Sequence, residues 1–276
     1  MISMPQITGA DGNTLNYQDT AGEGRPVVLI HGWPLDGTSW ANQVGPLAEK
    51  GHRVITYDRR GFGASEPAAR YDYDALAADV AALLEGLDLK DVTLVGFSMG
   101  GGEVARYVSA HGEQRLHSII FAAGVPPFLL KTDGNPDGPL EEAQANEMKS
   151  QLTADRNAFF EGFTPGFYSA GDQLCVSEDQ LKETIAVSCR SNEAAAVACM
   201  DAFGTTDFRE DLPSITVPTL VIHGDSDGVV PFEGSGQRTH EAIGHSELVV
   251  IEGAPHGLIV SHAGEFNSAL LDFLDR

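Results

Sequence analysis

Six apolar segments that alternate with helical patterns constrain the fold of this chain more than any other feature. Each segment is apolar at consecutive rather than alternate positions, which is typical of parallel strands covered by helices on both faces. The segments are "RPVVLIHG" (25–32), "HRVITYD" (52–58), "DVTLVGFS" (91–98), "LHSIIFAAG" (116–124), "PTLVIHGD" (218–225) and "ELVVIEG" (247–253). Helical patterns follow these segments, so we predict an α/β protein with a mostly parallel, doubly wound sheet.

The middle of the chain, from about 126 to 205, breaks this alternation. It begins with the turn-rich segment "PPFLLKTDGNPDGP" and continues with helical patterns such as "LEEAQANEMKSQL". Open α/β sheets bind ligands at the carboxyl ends of their strands, so a helical insertion after such an end would cover the site. We therefore predict a core domain formed by 1–125 and 206–276, with an inserted helical cap at 126–205.

Charge and composition narrow the classes of partner. The 276 residues include 40 acidic and 17 basic side chains, and the formal net charge of −23 would repel a phosphate backbone. The sequence shows neither a secretory leader pattern nor an apolar run of membrane-spanning length. We therefore expect a cytoplasmic protein that binds neither nucleic acid nor membrane. Cys175, Cys189 and Cys199 lack the spacing of a metal site and are expected to be reduced thiols.

Ser98 is the strongest candidate nucleophile. It stands in "GFSMGGGEVARYV", where Gly96 and Gly100 flank it at the junction of an apolar strand and a helical pattern. A Gly-x-Ser-x-Gly motif alone is weak evidence, because the chemistry also needs a sharp turn between a strand and a helix. Small neighbours let the chain double back there, and backbone strain lifts the hydroxyl into a cleft. The surrounding sequence meets these requirements, and it predicts a catalytic serine.

A serine nucleophile needs a general base, and the base needs an acid. Among nine histidines, His256 in "GAPHG" is the best base, because it follows the last predicted strand at the sheet edge where Ser98 is expected. His223, by contrast, falls inside a strand. The acid should follow the preceding strand, where "HGDSDGVVP" offers two aspartates. Geometry favours Asp227, further along the loop, and leaves Asp225 open because that residue could equally cap the turn.

The oxyanion of an acyl-transfer reaction needs hydrogen-bond donors that are fixed before the reaction. One predicted donor is the backbone amide of Met99, directly after the nucleophile, and the other comes from the turn "HGWPLDG". Pro34 has no amide hydrogen, which leaves Trp33 as the second donor. Side chains near strand ends and the cap boundary are predicted to line an apolar substrate pocket: Trp33, Phe128, Phe203, Val229 and Phe232.

Seven segments spread along the chain form a far more specific pattern than the Gly-x-Ser-x-Gly motif alone. They are "HGWPLDGTSW", "YDRRGFGASEP", "GFSMGGGEVARYV", "NPDGP", "DAFGTTDFREDL", "HGDSDGVVP" and "APHG". Together they resemble the cofactor-free bacterial haloperoxidases, or perhydrolases, and their aryl-esterase relatives in the α/β-hydrolase superfamily, from about residue 6 to the end. The resemblance implies a triad of Ser98, His256 and Asp227, which settles the choice of acid, with Trp33 and Met99 as oxyanion donors.

The resemblance also implies what the enzyme does. It implies an enzyme without cofactor or metal that forms an acyl-enzyme from small carboxylic esters and passes the acyl group to water or to hydrogen peroxide. With Pro34 after Trp33, the chain resembles the family members associated with peracid formation more than the plain esterases. Gly228 stands where relatives often carry glutamine, and Phe62 stands where histidine is common. Small acyl groups are expected because Trp33 and the phenylalanines would crowd a long chain. Relatives of this kind often assemble as trimers or hexamers, so a homo-oligomer is implied as well.

Other functions are compatible with the same triad. A lactamase or a hydroxynitrile lyase could use it, and a small-molecule receptor of the same fold would show few turnovers and a lasting adduct. Epoxide hydrolases and dehalogenases fit less well, because they carry an aspartate where Ser98 stands.

The segment "DGNPDGPLEEAQ" (133–144) imitates the start of a calcium-binding loop. Asp133, Asn135 and Asp137 occupy ligand positions, but Gln144 stands where a bidentate glutamate is needed. We therefore predict an Asx-rich turn at this place and no metal site.

Overall fold

An eight-stranded sheet forms the centre of the protein in the computed structural model, which describes residues 4–276. The strands are β1 (Gln6–Thr8), β2 (Thr14–Asp19), β3 (Pro26–Ile30), β4 (Arg53–Tyr57), β5 (Val92–Phe97), β6 (Leu116–Ala122), β7 (Ser169–Ala170), β8 (Gln173–Leu174), β9 (Thr219–Gly224) and β10 (Glu247–Ile251). The spatial order in the large sheet is β1-β2-β4-β3-β5-β6-β9-β10, and β7 and β8 form a separate hairpin.

The predicted parallel sheet is confirmed. Neighbouring strands from β4 to β10 in the spatial order run parallel, whereas β2 pairs antiparallel with both β1 and β4. Successive side chains of a strand point to opposite faces, so β3 contributes Val28 and Ile30 to one apolar cluster and Val27 and Leu29 to the other. Burial on both faces explains why these strands are continuously apolar in the sequence.

Helices cover both faces of the sheet. They are α1 (Ala41–Glu49), α2 (Tyr73–Gly86), α3 (Met99–His111), α4 (Glu142–Ala154), α5 (Arg156–Phe167), α6 (Glu178–Arg190), α7 (Glu193–Thr205), α8 (Gly236–Ala242), α9 (Leu258–Ser261) and α10 (Ala263–Leu274). α2 packs against α3 on one face, and α1 packs against α10 on the other. Within residues 4–276, no helix combines the length and the apolar character that a membrane crossing requires.

Helices α4 to α7 lie between β6 and β9 in the chain, and we call them the inserted helices. Their ends follow from local capping. Ser177 and Gln180 form a capping box at the start of α6, and the Asn192 side chain accepts from the amide of Ala195 at the start of α7. α4 packs against α5 and α7, and α5 packs against α6, so the four helices form one layer of their own.

The segment that imitates a calcium loop is tied into the fold through its asparagine. The amide nitrogen of Asn135 donates to the carbonyl oxygens of Phe128 (3.0 Å) and Leu130 (2.7 Å). Its amide oxygen accepts from Arg238 at 2.6 Å. Asn135 therefore uses its polar atoms to hold the turn after β6. Across the part of the chain that the structure describes, no group of three or more potential metal ligands is found.

Candidate active site

Ser98 lies between β5 and α3 in a strained backbone conformation. Its φ of +54° and ψ of −118° fall where non-glycine residues are rare. The flanking glycines are needed for close approach: a Cβ on Gly96 would stand 2.4 Å from the carbonyl oxygen of Gly100, and one on Gly100 would stand 2.7 Å from that of Ile30. The sharp turn predicted from the sequence is thus present, with the serine at its apex.

A chain of hydrogen bonds runs from Ser98 through His256 to Asp227. Ser98 Oγ lies 2.9 Å from His256 Nε2, and His256 Nδ1 lies 2.7 Å from Asp227 Oδ2. The other carboxylate oxygen, Oδ1, accepts from the amides of Val229 (2.9 Å) and Val230 (2.7 Å). Since a carboxylate accepts only, His256 donates through Nδ1, which leaves Nε2 free to take the proton of the Ser98 hydroxyl.

The structure separates the two aspartates that the sequence offered. Asp225 is exposed, and its Oδ1 accepts from the amide of Gly253 at 2.7 Å, so it ties two loops together. Asp227 is buried against His256. Asp225 therefore links two loops rather than capping its own turn, and Asp227 is the aspartate that contacts His256.

Opposing effects set the pKa of Asp227. Burial by itself would raise the pKa of this carboxyl, because a charge is costly to desolvate. Electrostatic attraction to the His256 ring and hydrogen bonds from His223 and His256 outweigh burial, and they hold the pKa of Asp227 well below its usual range. The carboxylate is therefore charged over the whole range in which an imidazole titrates.

Aromatic rings enclose the imidazole of His256. The centroid of the Phe97 ring lies 5.3 Å from the centroid of the imidazole, and that of the Phe167 ring lies 4.8 Å from it in an edge-to-face arrangement. Gly257 lets the loop pass close to α5, since a Cβ there would stand 2.2 Å from the ring of Tyr168. This apolar surrounding keeps water away from the Asp227–His256 bond.

The predicted oxyanion donors lie beside the nucleophile. Gly32 brings the turn so close that a Cβ there would stand 3.1 Å from Ser98 Cβ, and this turn carries the amide of Trp33. Met99 is the first residue of α3, where backbone amides have no partner inside the helix. No protein group among residues 4–276 accepts from the amide of Trp33 or of Met99, so both are free for a substrate oxygen.

The side chain of Trp33 connects this turn to the inserted helices. Its indole Nε1 donates to the carbonyl oxygen of Ala196 in α7 at 2.9 Å. The rings of Phe159, Phe160, Phe163 and Phe203 surround it, with centroids 5.5–6.3 Å away. The inserted helices therefore hold the residue that follows Gly32 in the turn beside Ser98.

A cavity of about 710 Å³ opens in front of Ser98 and His256. Of the five predicted pocket residues, Trp33, Phe203 and Val229 line it. Phe128 and Phe232 lie outside the lining: Phe128 packs under the guanidinium of Arg209, and Phe232 packs against His223. The sequence did not identify the lining residues contributed by the inserted helices, among them Met148, Phe159, Phe163 and Met200.

A buried ion pair beneath the site was also not anticipated. Arg59 donates from Nε to Glu103 of α3 at 2.6 Å and from Nη2 to the carbonyl oxygen of His31 at 2.5 Å. Tyr57 donates to the same carboxylate at 2.7 Å. These hydrogen bonds join the turn after β3 to α3, the helix that follows the nucleophile.

Burial raises the pKa of the nearby Cys199 thiol to about 12, so this cysteine is protonated.

Comparison with known proteins identifies the class. The sequence pattern described as "alpha/beta hydrolase fold" matches residues 25–263, so the chain belongs to the α/β-hydrolase family. Within that family it belongs to the non-haem haloperoxidases, a group of enzymes that includes esterases with perhydrolase activity.

Three relatives support the narrower assignment. The non-heme chloroperoxidase of Kitasatospora aureofaciens is 42% identical, over 99% of this chain and 100% of the relative. A bifunctional esterase/perhydrolase of Acinetobacter calcoaceticus is 35% identical, over 98% and 99% of the two chains. The crystal structure of a bromoperoxidase from Bacillus anthracis superimposes with a TM-score of 0.96 at 49% identity, covering 99% of this chain and 100% of the other. These names favour the esterase and haloperoxidase interpretation over a lactamase, a hydroxynitrile lyase or a receptor.

Proposed function

We propose that the protein is a serine esterase and perhydrolase in which Ser98, His256 and Asp227 form the catalytic triad. The observation that carries the proposal is the continuous hydrogen-bond chain from Ser98 to Asp227, placed at the end of an apolar cavity and beside two unpartnered amides. The inserted helices line that cavity and hold Trp33, which supports a cap over 126–205.

The proposed reaction begins when His256 Nε2 takes the hydroxyl proton as Ser98 Oγ attacks the carbonyl carbon of an ester. Asp227 stabilises the imidazolium that forms. The amides of Trp33 and Met99 donate to the oxyanion, each contributing about 3 kcal/mol to the stability of the transition state. His256 then returns the proton to the departing alcohol, and an acyl group remains on Ser98.

A second nucleophile then attacks the acyl group and releases it from Ser98. Water gives the carboxylic acid. Hydrogen peroxide, deprotonated by His256, gives the peracid, and the serine recovers its proton. A peracid oxidises bromide in solution to hypobromous acid and is itself reduced to the carboxylic acid, so halogenation needs no redox group on the protein.

The lining of the cavity favours small, largely apolar esters as substrates. Its lining is dominated by aromatic and aliphatic side chains, and Asp201, an acidic lining residue, is paired with Lys149 at 2.6 Å. A short acyl group beside Trp33 leaves room for an aryl alcohol towards the inserted helices. Cytoplasmic location stays a prediction from the sequence, and assembly into a homo-oligomer stays an expectation from the family resemblance.

We expect hydrogen peroxide to divert the acyl-enzyme. With p-nitrophenyl acetate, peroxide and bromide, wild-type protein should release p-nitrophenol and brominate monochlorodimedone at a rate that rises with peroxide concentration. Ser98→Ala protein at the same pH measures the reaction of peroxide with the ester in solution. Enzymatic p-nitrophenol release without bromination at any peroxide concentration would contradict the perhydrolase half of the proposal, and loss of neither activity in Ser98→Ala would contradict both halves.

A further inference from the structure

His223 is a second histidine in contact with the triad. It lies on β9, four residues before Asp227, and its side chain is fully buried. Its Nε2 lies 2.8 Å from the carbonyl oxygen of Val230 and 3.2 Å from Asp227 Oδ2. His223 was not predicted as the base because it falls inside a strand, yet β9 brings its ring to the carboxylate of Asp227.

The contacts determine the protonation of this ring. A carbonyl oxygen accepts only, so Nε2 of His223 carries a hydrogen. Nδ1 is buried and has no hydrogen-bond partner among residues 4–276. A hydrogen on that nitrogen would be an unsatisfied buried donor, so the neutral tautomer with hydrogen on Nε2 fits the site. This hydrogen is donated to the carbonyl of Val230 at 2.8 Å, and Asp227 Oδ2 lies 3.2 Å from the same nitrogen.

We infer that His223 is a positioning residue for the triad, an inference that rests on the proposed function. Asp227 Oδ1 is held by the amides of Val229 and Val230, and Oδ2 by His256 and His223. Val230 takes part on both sides, because its amide binds Oδ1 while its carbonyl accepts from His223. The ring thereby fixes both the rotation of the carboxylate and the turn that carries it.

The surroundings of His223 leave the ring little freedom. A Cβ on Gly236 of α8 would stand 2.4 Å from Nδ1, so only glycine fits at that position without moving the ring. On another side the ring of Phe232 lies 5.7 Å away. Phe232, which was predicted to line the substrate pocket, therefore lies behind the acid and packs against the residue that positions it.

Loss of the His223 donor is expected to shift the pH dependence of kcat/KM in one direction. The titratable groups that face Asp227 are His223 and His256. With one donor fewer, the carboxylate attracts the proton on His256 Nδ1 more strongly and stabilises the imidazolium more. The acid limb of the kcat/KM profile, which reports the protonation of the triad as a unit, then moves to higher pH.

The test compares His223→Leu with His223→Gln on p-nitrophenyl acetate. Leucine fills the buried site with an apolar side chain and removes the donor, whereas the glutamine amide nitrogen offers two hydrogens, one for each acceptor. We expect leucine to lower kcat by about tenfold or more with little change in KM, and to shift the acid limb upwards. Glutamine should restore most of kcat and return the limb towards its original position.

A second variant moves the ring without replacing it. Gly236→Ala pushes a methyl group against His223 Nδ1, so it should lower kcat, whereas Gly244→Ala, at an exposed position with no atom within 4 Å of its Cβ, serves as the matched control. Equal losses in the leucine and glutamine variants with an acid limb that does not rise, or full activity in His223→Leu, would overturn the inference. Ser98→Ala in the same series reports separately on the triad itself, since activity in that variant would contradict the proposed function whatever His223 does.

Discussion

Replacing Ser98 with alanine is expected to lower kcat for p-nitrophenyl acetate by a factor on the order of 10⁶. The hydroxyl is the group that forms the covalent bond, and no other nucleophile in the hydrogen-bond chain can take its place. The free amides and the apolar cavity remain in the variant, so a residual acceleration of about 10³-fold over the reaction in water is expected. Steady-state kinetics over a wide range of enzyme concentration measures both quantities.

The control for this prediction is Ser214→Ala. Ser214 does not line the cavity, and its hydroxyl donates to the carbonyl oxygen of Asp211. Activity near that of the wild type is expected for this variant. A Ser98→Ala protein that folds as the wild type does and hydrolyses the ester at a similar rate would contradict the role of the serine.

Replacing Asp227 with asparagine is expected to lower kcat by about 10⁴-fold, the size of loss expected when a triad aspartate becomes an amide. Four N–H groups converge on the two carboxylate oxygens, and an amide offers one accepting oxygen for them. The nitrogen of the amide must therefore face a donor. The tautomer of His256 that accepts the serine proton loses its support, and so does the charge that stabilises the imidazolium.

Asp225→Asn is the matched control, because it makes the same change two residues away in the same loop. Asp225 accepts from the amide of Gly253, and an asparagine oxygen can do the same, so an activity within a few-fold of the wild type is expected. A large loss in Asp225→Asn combined with a small loss in Asp227→Asn would reverse the assignment of the acid.

Much of the fold could be predicted because the decisive residues are local. The segment 218–225 is apolar at consecutive positions and reaches a glycine at position 224, and the structure has β9 at Thr219–Gly224, buried throughout. Strand β5, the turn at Ser98 and helix α3 are likewise encoded within one short stretch of sequence. The carboxyl ends of parallel strands meet at one edge, which is why Asp227 and His256 could be expected near Ser98.

Features that depend on distant contacts could not be predicted in this way. Arg59 and Glu103 are 44 positions apart, and nothing in either segment indicates that the other completes the pair. The position of a residue after a strand likewise did not fix the direction of its side chain: Val229 faces the cavity, whereas Phe232 faces His223. For the same reason His223 looked like an ordinary strand residue.

The most direct test of the central claim is to trap the acylated residue. Diethyl p-nitrophenyl phosphate should phosphorylate the nucleophile and leave an adduct that water does not remove. We predict one equivalent of p-nitrophenol released per chain, one diethyl phosphoryl group in the intact mass, and its location on Ser98 in the peptide map. Ser98→Ala should acquire no adduct. An adduct on another residue, or continued ester hydrolysis by wild-type protein after full labelling of Ser98, would contradict the account.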